Sequence, residues 1–379
     1  MDRYYIALTE LGLPNEILLS MIRDYDKTIL SSFFEGNIDV LSSNLQFLSV
    51  RDLLNDKIKQ AESLEKADKI LMMNQENDIH TAIYSQDGYP TSLMQLSNPP
   101  AVIYYKGTRP DLICQKAVAC VGTRNPTLFG FNAVHFLVPQ LVNEGFSIVS
   151  GLANGIDRLS HISCMANGGK TIAVLAHGLD MVYPAANKQL ANDILTAGGT
   201  LMSEYPVGTP PVKYRFVNRN RLIVGLSQAT VAMEFALNSG TMHTIDFALD
   251  QKCPVFCPNP GDNIKPSISG LNPLIETKKC DVIDKGMDFE KVILAAGFKP
   301  EKQPLPPHYV MEQYLKALIF GISKSMLKKT LKDISMKKIP MNSNLDELFH
   351  HVLEYIEEAS LPLGTVIGVF ISNMVLPSK

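Results

Sequence analysis

The stretch Lys213-Tyr-Arg-Phe-Val-Asn-Arg-Asn-Arg221 carries four cations and two aromatic rings in nine residues, with no acid among them. Cations interleaved with rings suit a single nucleic-acid strand, because phosphates meet Lys or Arg while unpaired bases stack on a flat π-face. In this reading Lys213, Phe216, Arg219, Asn220 and Arg221 contact the strand. The competing reading makes the stretch a solvated basic helix start, with Phe216 in the core and Arg221 at a sheet edge. Three further segments favour anions. Val121-Gly-Thr-Arg-Asn-Pro-Thr-Leu-Phe-Gly130 has Gly122 where a phosphate can approach the backbone, and Arg124 as a forked donor. It is not the GxGxxG dinucleotide fingerprint, since Gly122 alone stands where three glycines are required. Ser150-Gly-Leu-Ala-Asn-Gly-Ile-Asp157 sets Ser150, Gly151 and Gly155 before a helix start. Asn238-Ser-Gly-Thr-Met-His-Thr244 offers amide and hydroxyl donors at Ser239, Gly240 and Thr241.

No convincing acid–base pair accompanies these loops. Asp157 and His161 are four apart on one expected helical face, but Asp157 equally suits bonds to loop amides, and His161 a structural place. His177 and His243 lie near strand ends with no adjacent nucleophile. The six cysteines form neither a disulfide framework nor a CxxC pair, and Cys253-Pro-Val-Phe-Cys257 reads as a buried strand. The expectation is therefore a protein without catalytic residues, metal or cofactor.

The elements that must position the loops are legible as alternation. Apolar strands are expected at 117–121, 146–149, 171–175, 200–202, 229–233 and 254–257, with helical patterns between them, for example 131–143 and 241–250. Continuous apolar strands separated by helices predict an extended Rossmann-like, doubly wound parallel sheet of the α/β class, whose ligands bind at the strands' carboxyl ends. Around it we expect a small N-terminal helical module (1–78, of SAM or helix-hairpin-helix type) and a Rossmann-like domain (79–296). A Pro-rich linker (297–308) then leads to a C-terminal helical or winged-helix-like module (309–379). Within that last module, 359–371 permits either a helix or a strand.

At 379 residues, 46% apolar and 19% charged, the chain suits two or three globular domains. A net charge of −3 excludes a globally basic nucleic-acid binder and leaves only a concentrated local patch. No apolar run approaches the roughly 20 residues of a membrane helix, and the N-terminus lacks a signal-peptide core, so a cytoplasmic protein without membrane contact is expected.

These residues resemble the DNA-processing protein A (DprA, or Smf) family of bacteria. The matching strings are Ala117-Val-Ala-Cys-Val-Gly-Thr-Arg-Asn-Pro-Thr127, Ser150 to Asp157, Gly169-Lys-Thr-Ile-Ala-Val-Leu175 and Gly178-Leu-Asp-Met-Val-Tyr-Pro184. Ser203-Glu-Tyr-Pro206, Arg219-Asn-Arg-Leu-Ile223 and Ser239-Gly-Thr241 continue them in order. The resemblance implies a dimeric Rossmann-like protein that binds and protects incoming single-stranded DNA and loads a RecA-type recombinase during natural transformation. It further implies that Arg124 is a phosphate-binding arginine, that Lys170 is a DNA-binding lysine, and that Lys213 and Phe216 are the lysine and base-contacting aromatic before an Arg-Asn-Arg pocket. Departures from the family pattern fall at Ala176-His177, Met242-His243, Gly270-Leu-Asn272 and Lys279-Cys280. Two alternatives share the fold: a nucleoside-monophosphate-cleaving enzyme, whose catalytic glutamate after Gly-Thr is missing here, and a nucleotide-sensing domain.

Overall fold

The computed structural model describes residues 2–37, 45–261, 265–284, 288–321, 324–334, 336, 345–359, 361 and 363–375. Its described strands are β1 (His80–Ile83), β2 (Val102–Gly107), β3 (Ala117–Val121), β4 (Ser147–Ser150), β5 (Thr171–Leu175), β6 (Thr200–Ser203), β7 (Ala229–Ala232), β8 (Val255–Pro258) and β9 (Asp281–Ile283). Six of these are the expected apolar runs, two of them with the expected ends and the rest with ends moved by one residue. The fold is mixed α/β and Rossmann-like. Two compact units divide the chain, one made of residues 1–115 and 172–227, the other of 116–171 and 228–379.

In the second unit β3 pairs in parallel with β4 on one side and with β7 on the other, and β8 and β9 extend the β7 side in parallel. Chain order therefore reverses at β3, so the loops leaving β3 and β7 flank the switch point where ligands of such sheets sit. β3 is Ala-Val-Ala-Cys-Val with every residue buried, as a strand covered on both faces must be. The Leu128–Asn143 and Ile156–Ala166 helices follow β3 and β4.

One apolar cluster joins Val118, Ile148, Val231 and Phe256 of these strands to Leu315, Leu318, Phe349, Val352 and Phe370 of the C-terminal helices. Those helices span Pro307–Gly321, Lys324–Asp333, Leu345–Glu358 and Leu363–Val375. The ambiguous 359–371 stretch thus contributes to a helix, and no strand is described beyond β9. His135 stacks flat on Tyr314 at 4.3 Å, tying the Leu128–Asn143 helix to the Pro307–Gly321 helix.

The proline-rich run is docked. Glu144 accepts from the Glu301 and Lys302 amides at 3.0 and 2.9 Å, and Gln140 accepts from the Leu305 amide at 2.9 Å. Proline content set its extended backbone, but a polar helix face supplied partners for its exposed amides.

In the first unit β2 is antiparallel to both β1 and β6, and β5 is parallel to β6. β2 lies within, and β1 just before, the stretch 87–107, whose Gly and Pro residues (Gly88, Pro90, Pro99, Pro100, Gly107) suggest a connector rather than strands. Helices Arg3–Glu10, Asn15–Asp24, Lys27–Phe34 and Lys57–Glu76 make up most of the N-terminal part. Arg3 and Asp68 hold the first and last of these together with two bonds, 2.6 and 2.7 Å long. The helically spaced apolar residues Leu8, Leu11, Ile17, Leu18 and Ile22 fall on or beside two helices rather than one, because Gly12 and Pro14 end one before the next begins.

Candidate functional site

Two surfaces hold the residues singled out above, one in each unit. In the second unit the loops after β3, β4 and β7 interlock by backbone. Ile156 donates its amide to Thr123 O at 3.0 Å, and Thr123 donates to Glu234 O at 2.6 Å. Gly155, at φ 79°, lies so close to this turn that a Cβ would stand 2.3 Å from Thr123 O and 2.5 Å from the Arg124 carbonyl carbon. Only glycine meets both demands. Gly122 is as crowded, with a Cβ position 2.6 Å from Ile156 and 2.8 Å from Glu234 O. Arg124 stands exposed on this frame, with no ion-pair partner among the described residues.

The three helix-start loops are not equivalent. Glu234, fully buried, accepts from the Thr127 and Gly130 amides through one oxygen, both at 2.9 Å. Its carboxylate thus occupies the N-terminus of the Leu128–Asn143 helix, where a phosphate would otherwise sit. Asp157 does the same in the next loop, accepting from Gly151 and Ala153 at 3.1 and 3.3 Å. Between those amides Leu152 takes φ 58° with its side chain fully buried, a strained backbone that this bonding holds in place. Ser150 spends its hydroxyl on Cys120 O at 2.7 Å inside the sheet.

The β7 loop remains open. Ser239 caps the Gly240–Asp250 helix without a side-chain cap bond, and its buried Oγ has no hydrogen-bond partner among the described residues. Space around Gly240 is clear, and Thr241 is buried beside it. Lys170 lies elsewhere in this unit. It immediately precedes β5, and its carbonyl accepts from Ile148 at the start of β4, whereas Ser150 and Gly151 lie at the end of that strand. That position follows from the expected strand at 171–175, which Lys170 directly precedes. His161, fully buried, bonds the Thr171 hydroxyl at 2.6 Å.

In the first unit the loops after the paired strands β5 and β6 lie together. Gly178 donates to Thr209 O at 2.9 Å, and Gly208 donates to Asp180 Oδ1 at 2.9 Å. On them rests the Lys213–Gly225 helix, and the basic stretch divides by direction. Arg219 is buried: its guanidinium donates to the Val174 carbonyl and, at 3.1 Å, to Asn220 Oδ1. Arg221 pairs with Glu204 at 2.5 Å, with both side chains below 15% exposure (14% and 13%).

Lys213 and Tyr214 face solvent, and Arg215 lies over the Tyr205 and Tyr214 rings at 5.0 and 5.6 Å. Phe216 is partly buried rather than in the core and leans on Tyr183, 5.6 Å away and tilted by 53°. Tyr183 is half exposed, at 50%. Tyr183 and Tyr205 escaped the sequence reading as ring partners, whereas Tyr214 was one of the two rings counted in the stretch. The Tyr-Pro ending of the Gly178–Pro184 string was the one available signal for Tyr183.

These are two surfaces of backbone-rigid loops, one presenting a cation and an open helix start, the other rings and cations. The model of the DNA recombination-mediator protein A family matches residues 80–293, more than half of the chain. The chain belongs to that family. DNA processing protein DprA of Bacillus subtilis is 38% identical over 211 residues, covering 56% of this chain and 70% of that one. A solved DprA of Streptococcus pneumoniae superposes with a TM-score of 0.60 at 29% identity, over 76% of this chain and 96% of that one. A second, DNA processing protein A of Helicobacter pylori, was solved for its single-stranded DNA binding mode. It gives 0.51 at 28% identity, over 57% of this chain and 95% of that one. Every residue of both surfaces falls within the span that the family model matches. The C-terminal helices and the N-terminal ones named above fall outside it.

Proposed function

We propose that this member of the family binds single-stranded DNA and, without catalysing a reaction itself, protects it and passes it to a RecA-type recombinase as a cytoplasmic homodimer. The observation that carries the reading is the ring-and-cation surface of the first unit, Lys213, Tyr214, Arg215 and Phe216 beside Tyr183 and Tyr205. Exposed rings beside cations that have no ion-pair partner among the described residues suit bases and phosphates together. The DNA-binding of the Helicobacter pylori relative supports the same reading.

In this proposal Arg124, with Gly122 and Gly155 shaping its turn, and Ser239, Gly240 and Thr241 hold phosphates. Gly151 and Ser150 frame the neighbouring loop. Arg219, Asn220 and Arg221 act from beneath, stiffening the helix that carries Lys213 and Phe216. Lys170 contributes at a distance, as a charge along the path of a longer strand. The module reading is kept as well, with helical modules at 1–78 and 309–379 around the DNA-binding domain at 79–296 and the 297–308 linker.

Resident carboxylates weigh against the nucleotide-cleaving and nucleotide-sensing alternatives. A mononucleotide phosphate entering the loop after β3 or β4 would have to displace Glu234 or Asp157 from amides that each already serves. The test is a titration of labelled oligo-dT, with an equal-length duplex in parallel and a nucleoside monophosphate as competitor. Tight binding of oligo-dT alone is the expected result. Equal affinity for duplex, or release of free base from the monophosphate, would overturn the proposal.

A further inference from the structure

Cys257 and Cys280, 23 positions apart, bring their sulfurs to 3.1 Å. The approach is built into two rigid pieces of backbone in the second unit. Cys257 is fully buried on β8, where it pairs with Val282 of β9. Cys280 arrives on a tight turn. The Leu271–Glu276 helix ends with the Lys278 amide donating to Ile275 O at 3.0 Å and the Lys279 amide to Leu274 O at 2.9 Å. Lys278 takes the left-handed φ of 53° that such a helix end requires. Cys280 follows directly and stays partly exposed, beside the first residue of β9.

We propose that Cys257 and Cys280 are a two-electron oxidation site that closes to an intrachain disulfide under a peroxide. The sulfurs need to approach by only about 1 Å to reach bonding distance, which side-chain rotation supplies without moving the sheet. A metal is the poorer reading, since no group of three or more His, Cys, Asp or Glu that would hold one exists among the described residues.

Roles follow from exposure and hydrogen bonding. Cys257 is buried and Cys280 partly exposed, and the hydrogen bond the two sulfurs share holds Cys280 below the usual thiol range, while that bond and burial push Cys257 up. Cys280 is therefore the attacking sulfur. Its thiolate takes one oxygen of hydrogen peroxide; the O–O bond breaks, and the departing hydroxide leaves as water with the thiol proton. The Cys257 sulfur then attacks the Cys280 sulfenic acid; the S–O bond breaks, and the second water leaves with the Cys257 proton. Two thiols and one peroxide become one disulfide and two waters, with sulfur oxidised and peroxide oxygen reduced.

The full-length folded chain is treated with hydrogen peroxide, alkylated and digested without reductant. A Cys257–Cys280 cross-linked peptide is expected, with both thiols lost together and both restored by dithiothreitol. The C257S variant should instead accumulate a sulfenic acid at Cys280, trapped by dimedone. In C280S, Cys257 should stay unmodified under conditions that consume the wild-type pair. As a reading that needs no variant, the oxidised wild type should melt roughly 5–10 °C higher than the reduced protein. Cys280 reaching sulfinic acid in the wild type while Cys257 remains a thiol would overturn the proposal. So would a cross-link between two chains, or oxidation of the pair no faster than that of buried Cys120.

Discussion

Among the cations offered for DNA, the structure separates those that face solvent from those already spent. Arg124 and Lys213 face solvent, while Arg219 and Arg221 are committed to Val174, Asn220 and Glu204. Arg124→Ala should therefore lower oligo-dT affinity ten- to a hundredfold, about 1.5–3 kcal/mol, with an unchanged melting temperature. Lysine at the same position should restore part of it, having charge but no fork. Arg221→Ala should do the reverse. It strands Glu204 in a site with little water and should cost about 3–5 kcal/mol of folding stability, read by denaturant unfolding. If Arg221→Ala melts like wild type while losing DNA, Arg221 belongs to the interface after all. The Phe216 and Tyr183 rings give the companion case. Alanine at either should cost about 1–3 kcal/mol of binding, and tryptophan at Phe216 should keep most of the affinity, because any flat π-face serves. A Phe216→Trp protein that loses stability instead would return Phe216 to the core.

The Leu128–Asn143 and Pro307–Gly321 helices meet through His135, whose ring is buried against Tyr314 and has no hydrogen-bond partner for either nitrogen among the described residues. Burial alone pushes its pKa down to about 3 from an ordinary 6.5. The imidazole stays neutral in the folded chain but takes a proton in the unfolded one below pH 6.5. Between the two values the unfolded state binds more protons, so stability falls as pH falls. Lowering the pH from 7 to 5 should cost on the order of 2 kcal/mol through this residue. His177, also shifted down by burial, adds in the same direction. His135→Phe keeps the stack and removes the proton site. Its stability should drop less than the wild type's over that interval in paired chemical denaturations, and identical drops would discard the assignment.

Over the whole molecule the charge is −3, so nothing attracts DNA at a distance except the local cations. With three to five phosphates neutralised, the slope of log affinity against log salt should be about −2 to −4, in a salt series with oligo-dT. A slope near zero would mean that stacking alone holds the strand, and a much steeper one that cations outside the two surfaces take part. The C-terminal helices add none of the residues proposed for DNA. They complete the apolar cluster beneath β3 and β4, so truncation after the 297–308 segment should expose it.

The sequence by itself determined the parallel strands, their connecting helices and the chemistry of their loops. Apolar runs of strand length between helical repeats have one economical burial, and glycines ahead of helices mark turns whatever the rest of the chain does. It also carried the ring-and-cation character of the Lys213–Arg221 stretch. It left open which of those cations face water, because helix position and the whereabouts of Glu204 and Val174 decide that, and both partners are distant in sequence. β1 and β2 were hidden because β2 lies in a stretch punctuated by Gly and Pro and β1 opens on the polar pair His80-Thr81. Tertiary structure alone filled the loop after β3 with Glu234, while the bonds of Asp157 to its own loop amides were one of the two readings its sequence position allowed. Tertiary structure also set Tyr183 against Phe216 and brought Cys257 to Cys280. Each is a contact made by sheet pairing or loop packing, and such contacts depend on three-dimensional neighbours that no linear spacing encodes.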